Sequence, residues 1–172
     1  MAAGTLVSIG EYLSTSYHPD REYVEGQVVE RNVGEYNHGF LQLIIGFALR
    51  ACGLRTYVET RFKVREDRFR IPDIFALAPG QRRSGRYQTE TPYIVVEVLS
   101  PDDRIADLNH KIAEYFERGV PNIWVVDPET RSLTVHQPTE THTFTDRVTT
   151  ADGLVSLDLA DIFRQLAEDQ AE

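Results

Sequence analysis

Tyr93-Ile94-Val95-Val96-Glu97-Val98-Leu99 is the stretch that decides how this chain folds. An apolar run of this length predicts a β-strand buried on both faces, and therefore one near the middle of a sheet. Glu97 breaks the pattern. A carboxylate buried without a cation or donors costs on the order of several kcal/mol. A charge in such a place is kept for chemistry more often than for stability.

Upstream, Thr56 to Arg65 and Arg68 to Leu77 read as a hairpin around the turn Glu66-Asp67. Side chains alternate along it. Arg61, Lys63 and Arg65 share one face, with Phe62 and Val64 on the other. On the return strand Asp73 shares its face with Phe69, Ile71 and Phe75, and Arg68 and Arg70 oppose it. Asp73 is thus a second acid set among apolar neighbours. Pro72-Asp73 also reads as a turn signal.

Downstream, Ser100-Pro101-Asp102-Asp103 announces a helix from about Arg104 to Arg118, stopped at Gly119. Its apolar stripe is Ile105, Leu108, Ile112, Tyr115 and Phe116. Lys111 lies on the border of that stripe, where a long stem can carry the ammonium toward the sheet. The alternative for Lys111 is a surface ion pair with Asp107, one turn earlier.

The remaining pattern supplies a helix opened by Ser8-Ile9-Gly10-Glu11, strands over 22–25 and 27–31, and a long helix over Tyr36 to Cys52, apolar on most sides and expected to be buried. Ala78 to Thr91 reads as a polar loop. Strands follow over 122–127 and 132–136, then over 141–148 and 154–157, and a helix over 158–166 ends the pattern. Helices alternating with hairpins predict an α/β (α+β) fold around a mixed central sheet. A length of 172 residues is expected to form one domain, residues 1–172.

Composition narrows the function. The net charge of −9 argues against indiscriminate coating of nucleic acid. Sixteen of the eighteen basic residues are arginine, and the two lysines are Lys63 and Lys111. No apolar run spans a bilayer, and Met1 to Val7 lacks the pattern of a signal peptide, so no membrane association and a cytoplasmic location are expected. With Cys52 as its one cysteine, the chain forms no internal disulfide. P-loop, Gly-x-Ser-x-Gly and His-Glu-x-x-His patterns are absent.

Two acids and a lysine brought to one sheet edge are the parts of a metal-dependent phosphodiesterase. Hard cations such as Mg²⁺ or Mn²⁺ take carboxylate oxygens and keep several waters. In that reading Asp73 and Glu97 hold the metal, and Lys111 assists an attacking water.

The ordered set Ile71-Pro72-Asp73-Ile74, Val95-Val96-Glu97-Val98-Leu99-Ser100-Pro101, Asp107, Lys111, Tyr115 and Gly119 to Pro128 resembles the Uma-two family of restriction-endonuclease-like proteins, a branch of the PD-(D/E)xK nuclease superfamily. The resemblance extends from the N-terminal helix through Leu157. It implies the restriction-endonuclease-like fold, with the acids on a bent hairpin, and Mg²⁺-dependent cleavage of DNA. The superfamily's lysine usually falls two positions after the second acid, where this chain has Leu99. In the branch it resembles, the lysine sits on the following helix, here Lys111. The resemblance also implies that the long helix flanks the site. His38 and Gln42, one turn apart on it, are accessory candidates, as are Glu22 and Glu59.

Arg61, Lys63, Arg65, Arg68 and Arg70 on the hairpin, and Arg82, Arg83 and Arg86 on the loop, are candidates for DNA phosphate contacts; solvated surface charge is the plainer explanation for both groups. A homodimer is expected if both strands are cut. Two rivals stand beside the nuclease: a catalytically inactive, nuclease-derived module that binds nucleic acid, and a dimeric interaction module.

Overall fold

The computed structural model describes residues 6–31 and 35–171. Most of the opening stretch read for a signal peptide lies outside them. Ser8 caps α1 (Ile9–Ser14) by accepting the Glu11 N–H, as its capping pattern requires. A tight turn at Glu25-Gly26 then joins β1 (Arg21–Val24) to β2 (Gln27–Glu30), Gly26 taking the left-handed φ of +87°.

The long helix α2 (Tyr36–Ala51) buries His38, Leu41, Ile45 and Leu49 along one stripe. It is not buried all round, as its apolar composition led us to expect. Tyr36, Leu43 and Phe47 face outward, Tyr36 being 94% exposed. The sheet covers one side of this helix, and among the described residues these three side chains remain largely exposed.

The expected hairpin is present but bent across two sheets. Its outgoing arm is β3 (Arg55–Val58) and β4 (Phe62–Arg65); its return arm is β5 (Arg68–Arg70) and β6 (Ile74–Leu77). β4 pairs with β5 in a four-stranded sheet of order β2-β1-β5-β4, whereas β3 pairs with β6 in the main sheet. The break has local causes. Pro72 has no N–H to continue a ladder, and Glu59 takes a left-handed φ of +43° opposite it.

β7 (Ile94–Val98) is the strand of Glu97. It leads through α3 (Ile105–Glu117) to β8 (Asn122–Asp127), which lies parallel to it. β9 (Ser132–His136) and β10 (Thr141–Phe144) extend the main sheet to six strands, in the order β10-β9-β8-β7-β6-β3. The predicted strand over 141–148 is divided, because β11 (Arg147–Thr149) pairs instead with β12 (Ser156–Asp158), just ahead of α4 (Leu159–Asp169).

β7 is central and buried at all five positions. Ile94, Val96 and Val98 pack with α2 and α4 on one face. Val95 packs on the other face with Phe75, Phe62 and the Ile112 and Tyr115 side chains of α3. Glu97 belongs to this second face, by alternation with Val95. No helix among the described residues is long and apolar enough to cross a membrane.

Candidate active site

The register between β6 and β7 brings the two acids together. Ile74 pairs with Val96, so one further step places Asp73 opposite Glu97. Directly opposed residues of an antiparallel pair share a face. Asp73 Oδ2 is tied to the neighbouring strand by the Val98 N–H at 2.8 Å. The Asp73 carbonyl accepts from the Gln42 side-chain amide at 2.7 Å and from the Glu59 N–H at 3.2 Å, which holds the bend at Pro72 in place.

α3 crosses this face and delivers the lysine. Lys111 Nζ is 3.3 Å from Glu97 Oε2 and 3.6 Å from Glu22 Oε1. One turn later, the Tyr115 hydroxyl donates to Glu97 Oε1 at 2.5 Å. The ion pairs of Lys111 therefore point into the fold, and the surface alternative with Asp107 is not the one formed. Glu22 is buried as well. It accepts the Ile71 N–H at 3.1 Å through Oε1 and Arg70 Nη1 at 2.7 Å through Oε2.

Asp73 has two basic neighbours. Arg31 Nη2 lies 2.9 Å from Oδ1, and His38 Nε2 lies 3.1 Å from Oδ2. Burial pushes the Asp73 carboxyl up, but the His38 hydrogen bond and charge, the Val98 N–H and Arg31 outweigh it and hold the group below its ordinary value. Glu97 moves the other way. Burial pushes it up to about 7, Lys111 opposes the rise, and the nearby charge of Asp73 adds to it. Burial would lower the Lys111 ammonium, but Glu97, Glu22 and Asp73 keep it above its usual value and hence charged.

These groups line one cavity of about 350 Å³. Arg104 and His110, both exposed, stand on its rim. The two carboxylates, on adjacent strands, are oxygen donors of the kind a hard divalent cation takes, with waters completing its shell. Among the described residues no group of three or more His, Cys, Asp or Glu side chains is arranged to hold a metal ion.

The sequence model of Uma2, whose description reads "Putative restriction endonuclease", matches residues 11–167. The chain belongs to the Uma2 family. Membership supports a nuclease function. The crystal structure of "a putative nuclease belonging to DUF820" from Anabaena variabilis ATCC 29413 superposes with a TM-score of 0.79 at 21% identity, covering 93% of this chain and 99% of that one. The restriction-endonuclease-like fold is shared. A second likeness, to a chain in the cryo-EM structure of the DrdV–DNA complex, has a TM-score of 0.43 and 18% identity, and covers 74% of this chain and 10% of that one. No curated protein matches the chain.

Asp73, Glu97, Lys111, Glu22 and His38 thus meet in one place in this Uma2 protein. Gln42 supports them through the Asp73 backbone. Glu59 is exposed; its carboxylate lies 3.5 Å from the Gln42 amide and does not line the cavity.

Most of the candidate arginines lie away from the cavity. Arg70 lines it but is largely buried between Glu22 and Glu114, with its Nε 2.6 Å from Glu114, rather than on a solvated strand face. Arg68 pairs with Glu25 and Glu114, Arg65 with Glu117, and Lys63 with Glu66. Arg61 lies over the Tyr12 ring and donates to the Tyr12 and Thr15 carbonyls. Arg82, Arg83 and Arg86 are exposed on a loop that leaves β6 at Leu77, the end of the sheet opposite Asp73.

Sequence reasoning did not single out Tyr115 or Arg31 as site residues. Tyr115 was within reach, since it follows Lys111 by four residues on the same helix face. Arg31 directly follows a short edge strand, where no spacing rule applies.

Proposed function

We propose that this Uma2 protein is a Mg²⁺- or Mn²⁺-dependent endonuclease that hydrolyses DNA phosphodiester bonds. The observation that carries the reading is the meeting of Asp73, Glu97 and Lys111 in one cavity, from three separate elements. Asp73 and Glu97 would hold the metal, which supplies Lewis-acid polarisation of the scissile phosphate.

The chain's own residues do the rest. An ammonium has three N–H donors. Glu97 accepts one of those on Lys111 at 3.3 Å, and Glu22 lies within ion-pair range at 3.6 Å. A remaining donor is available to orient the attacking water and to stabilise charge growing on the phosphate oxygens. The Val98 N–H and the Tyr115 hydroxyl hold the two carboxylates from behind. Arg104 and His110 on the rim contact the DNA backbone, a task the loop arginines are poorly placed to share. Cutting of both strands by a homodimer, and a cytoplasmic location, belong to the same proposal.

One observation favours the rival reading of an inactive nuclease-derived module. Both oxygens of Asp73 are already engaged, by Arg31 on one side and by His38 and Val98 on the other. Nicking of supercoiled plasmid with Mg²⁺ separates the two. Wild-type protein is expected to nick, with Asp73→Asn, Glu97→Gln and Lys111→Met each reduced by about 10²- to 10³-fold. Gel retardation of DNA by wild-type protein without any nicking would favour the inactive module. Equal nicking by the variants would place the site elsewhere.

A further inference from the structure

Arg31 follows β2 directly and points its guanidinium into the cavity wall against Asp73 Oδ1. Both side chains are largely out of water, 12% and 6% exposed. The neighbouring oxygen, Oδ2, is engaged by the Val98 N–H and by His38 Nε2 at 3.1 Å. Oδ1 is held by Arg31, whose side chain lines the cavity. Arg31 is also near enough to Glu97 and Glu22 to feel their charge. Beside Lys111, which pairs with Glu97, the Arg31 guanidinium thus supplies part of the positive charge that a buried pair of acids demands.

Resting on the reading of Asp73 and Glu97 as the divalent site, we infer that Arg31 is an internal cation competing with the metal for Asp73. Loading of the site requires Arg31 to release Oδ1. The chain then sets its own threshold for metal: the acids stay neutralised and ordered when divalent cation is scarce, and the nuclease is assembled only when the cation outcompetes the guanidinium. Because two cations cannot share one carboxylate oxygen at full strength, removing the charge of Arg31 must tighten metal binding.

The test is Mn²⁺ binding to the full chain without DNA, followed by the loss of the free-ion electron paramagnetic resonance signal. Arg31→Gln removes the charge and keeps a donor for Asp73. It is expected to bind Mn²⁺ about tenfold more tightly than wild type, a coupling of ordinary size for linked sites. Arg31→Lys keeps the charge and loses the planar fork that suits a carboxylate. Its affinity is expected to fall between the two. Unchanged or weaker binding in Arg31→Gln, or an Arg31→Lys variant weaker than wild type, would overturn the competition.

The reading of the site itself fails differently. Wild-type protein that takes up no Mn²⁺, or a Glu97→Gln variant that takes it up as wild type does, removes the metal centre. Wild-type uptake that Glu97→Gln abolishes, with Arg31→Gln unchanged, removes this inference alone.

Discussion

Lys111 and Tyr115, one helical turn apart on α3, divide the carboxylate of Glu97 between them, the ammonium at Oε2 and the hydroxyl at Oε1. Each oxygen of this buried acid thus has a donor from the same helix. The Tyr115 side chain is fully buried, so its hydroxyl has no water to fall back on. Tyr115→Phe is expected to lower stability by about 1–3 kcal/mol in urea unfolding. Plasmid nicking should fall with it, because Glu97 loses the contact that orients it. A variant with wild-type stability and full nicking would show that the hydroxyl does not position Glu97.

A second ion network stands behind the first and is structural. Glu114 on α3 accepts from Arg70 and Arg68 and is buried. Burial pushes its carboxyl up, but the hydrogen bonds and charges of the two arginines outweigh that and set it below the ordinary 4.5. An acid whose value is lower in the folded state stabilises the fold above its unfolded value and loses that contribution as the pH falls through the folded one. The urea midpoint of wild-type protein should therefore drop as the pH falls below about 4.5. In Glu114→Gln the starting stability should be lower and this part of the drop shallower. Equal slopes in the two proteins would mean that Glu114 does not carry the acid sensitivity.

Much of this was legible in the sequence, for identifiable reasons. Tyr93 to Leu99 reads as a central strand, and the stripe of α3 put Lys111 on its border, which left both the sheet and a surface pair with Asp107 open to it. The pairing of Asp73 with Glu97 followed once their strands were adjacent. The bend of the hairpin across two sheets was visible only as Pro72; the matching kink at Glu59 has no residue-type signal, because a glutamate with positive φ is not foreseeable from its identity. The outward face of α2 was misread because apolar composition does not say whether a neighbour covers it. Arg70 is buried rather than on a solvated face because alternation gives the face of a strand, and its covering helix, α3, lies far along the chain.

DNA contacts offer a test of placement. Arg104 precedes α3 on the cavity rim, whereas Arg82, Arg83 and Arg86 lie beyond the other end of β6. DNA affinity measured in EDTA over a range of salt should separate them. Arg104→Ala is expected to weaken binding and reduce the salt slope by about 1, as the loss of a single phosphate contact does. The triple alanine variant of the loop should leave the slope unchanged. The reverse result would move the DNA to the opposite end of the sheet.

The central claim is that Asp73 and Glu97 together take a divalent cation beside Lys111. Anomalous diffraction from crystals soaked in Mn²⁺ tests it most directly. The expected result is a single strong peak bonded to an oxygen of Asp73 and an oxygen of Glu97, with the Arg31 guanidinium moved off Oδ1. A peak elsewhere, or no peak while Arg31 still holds Asp73, would contradict the account.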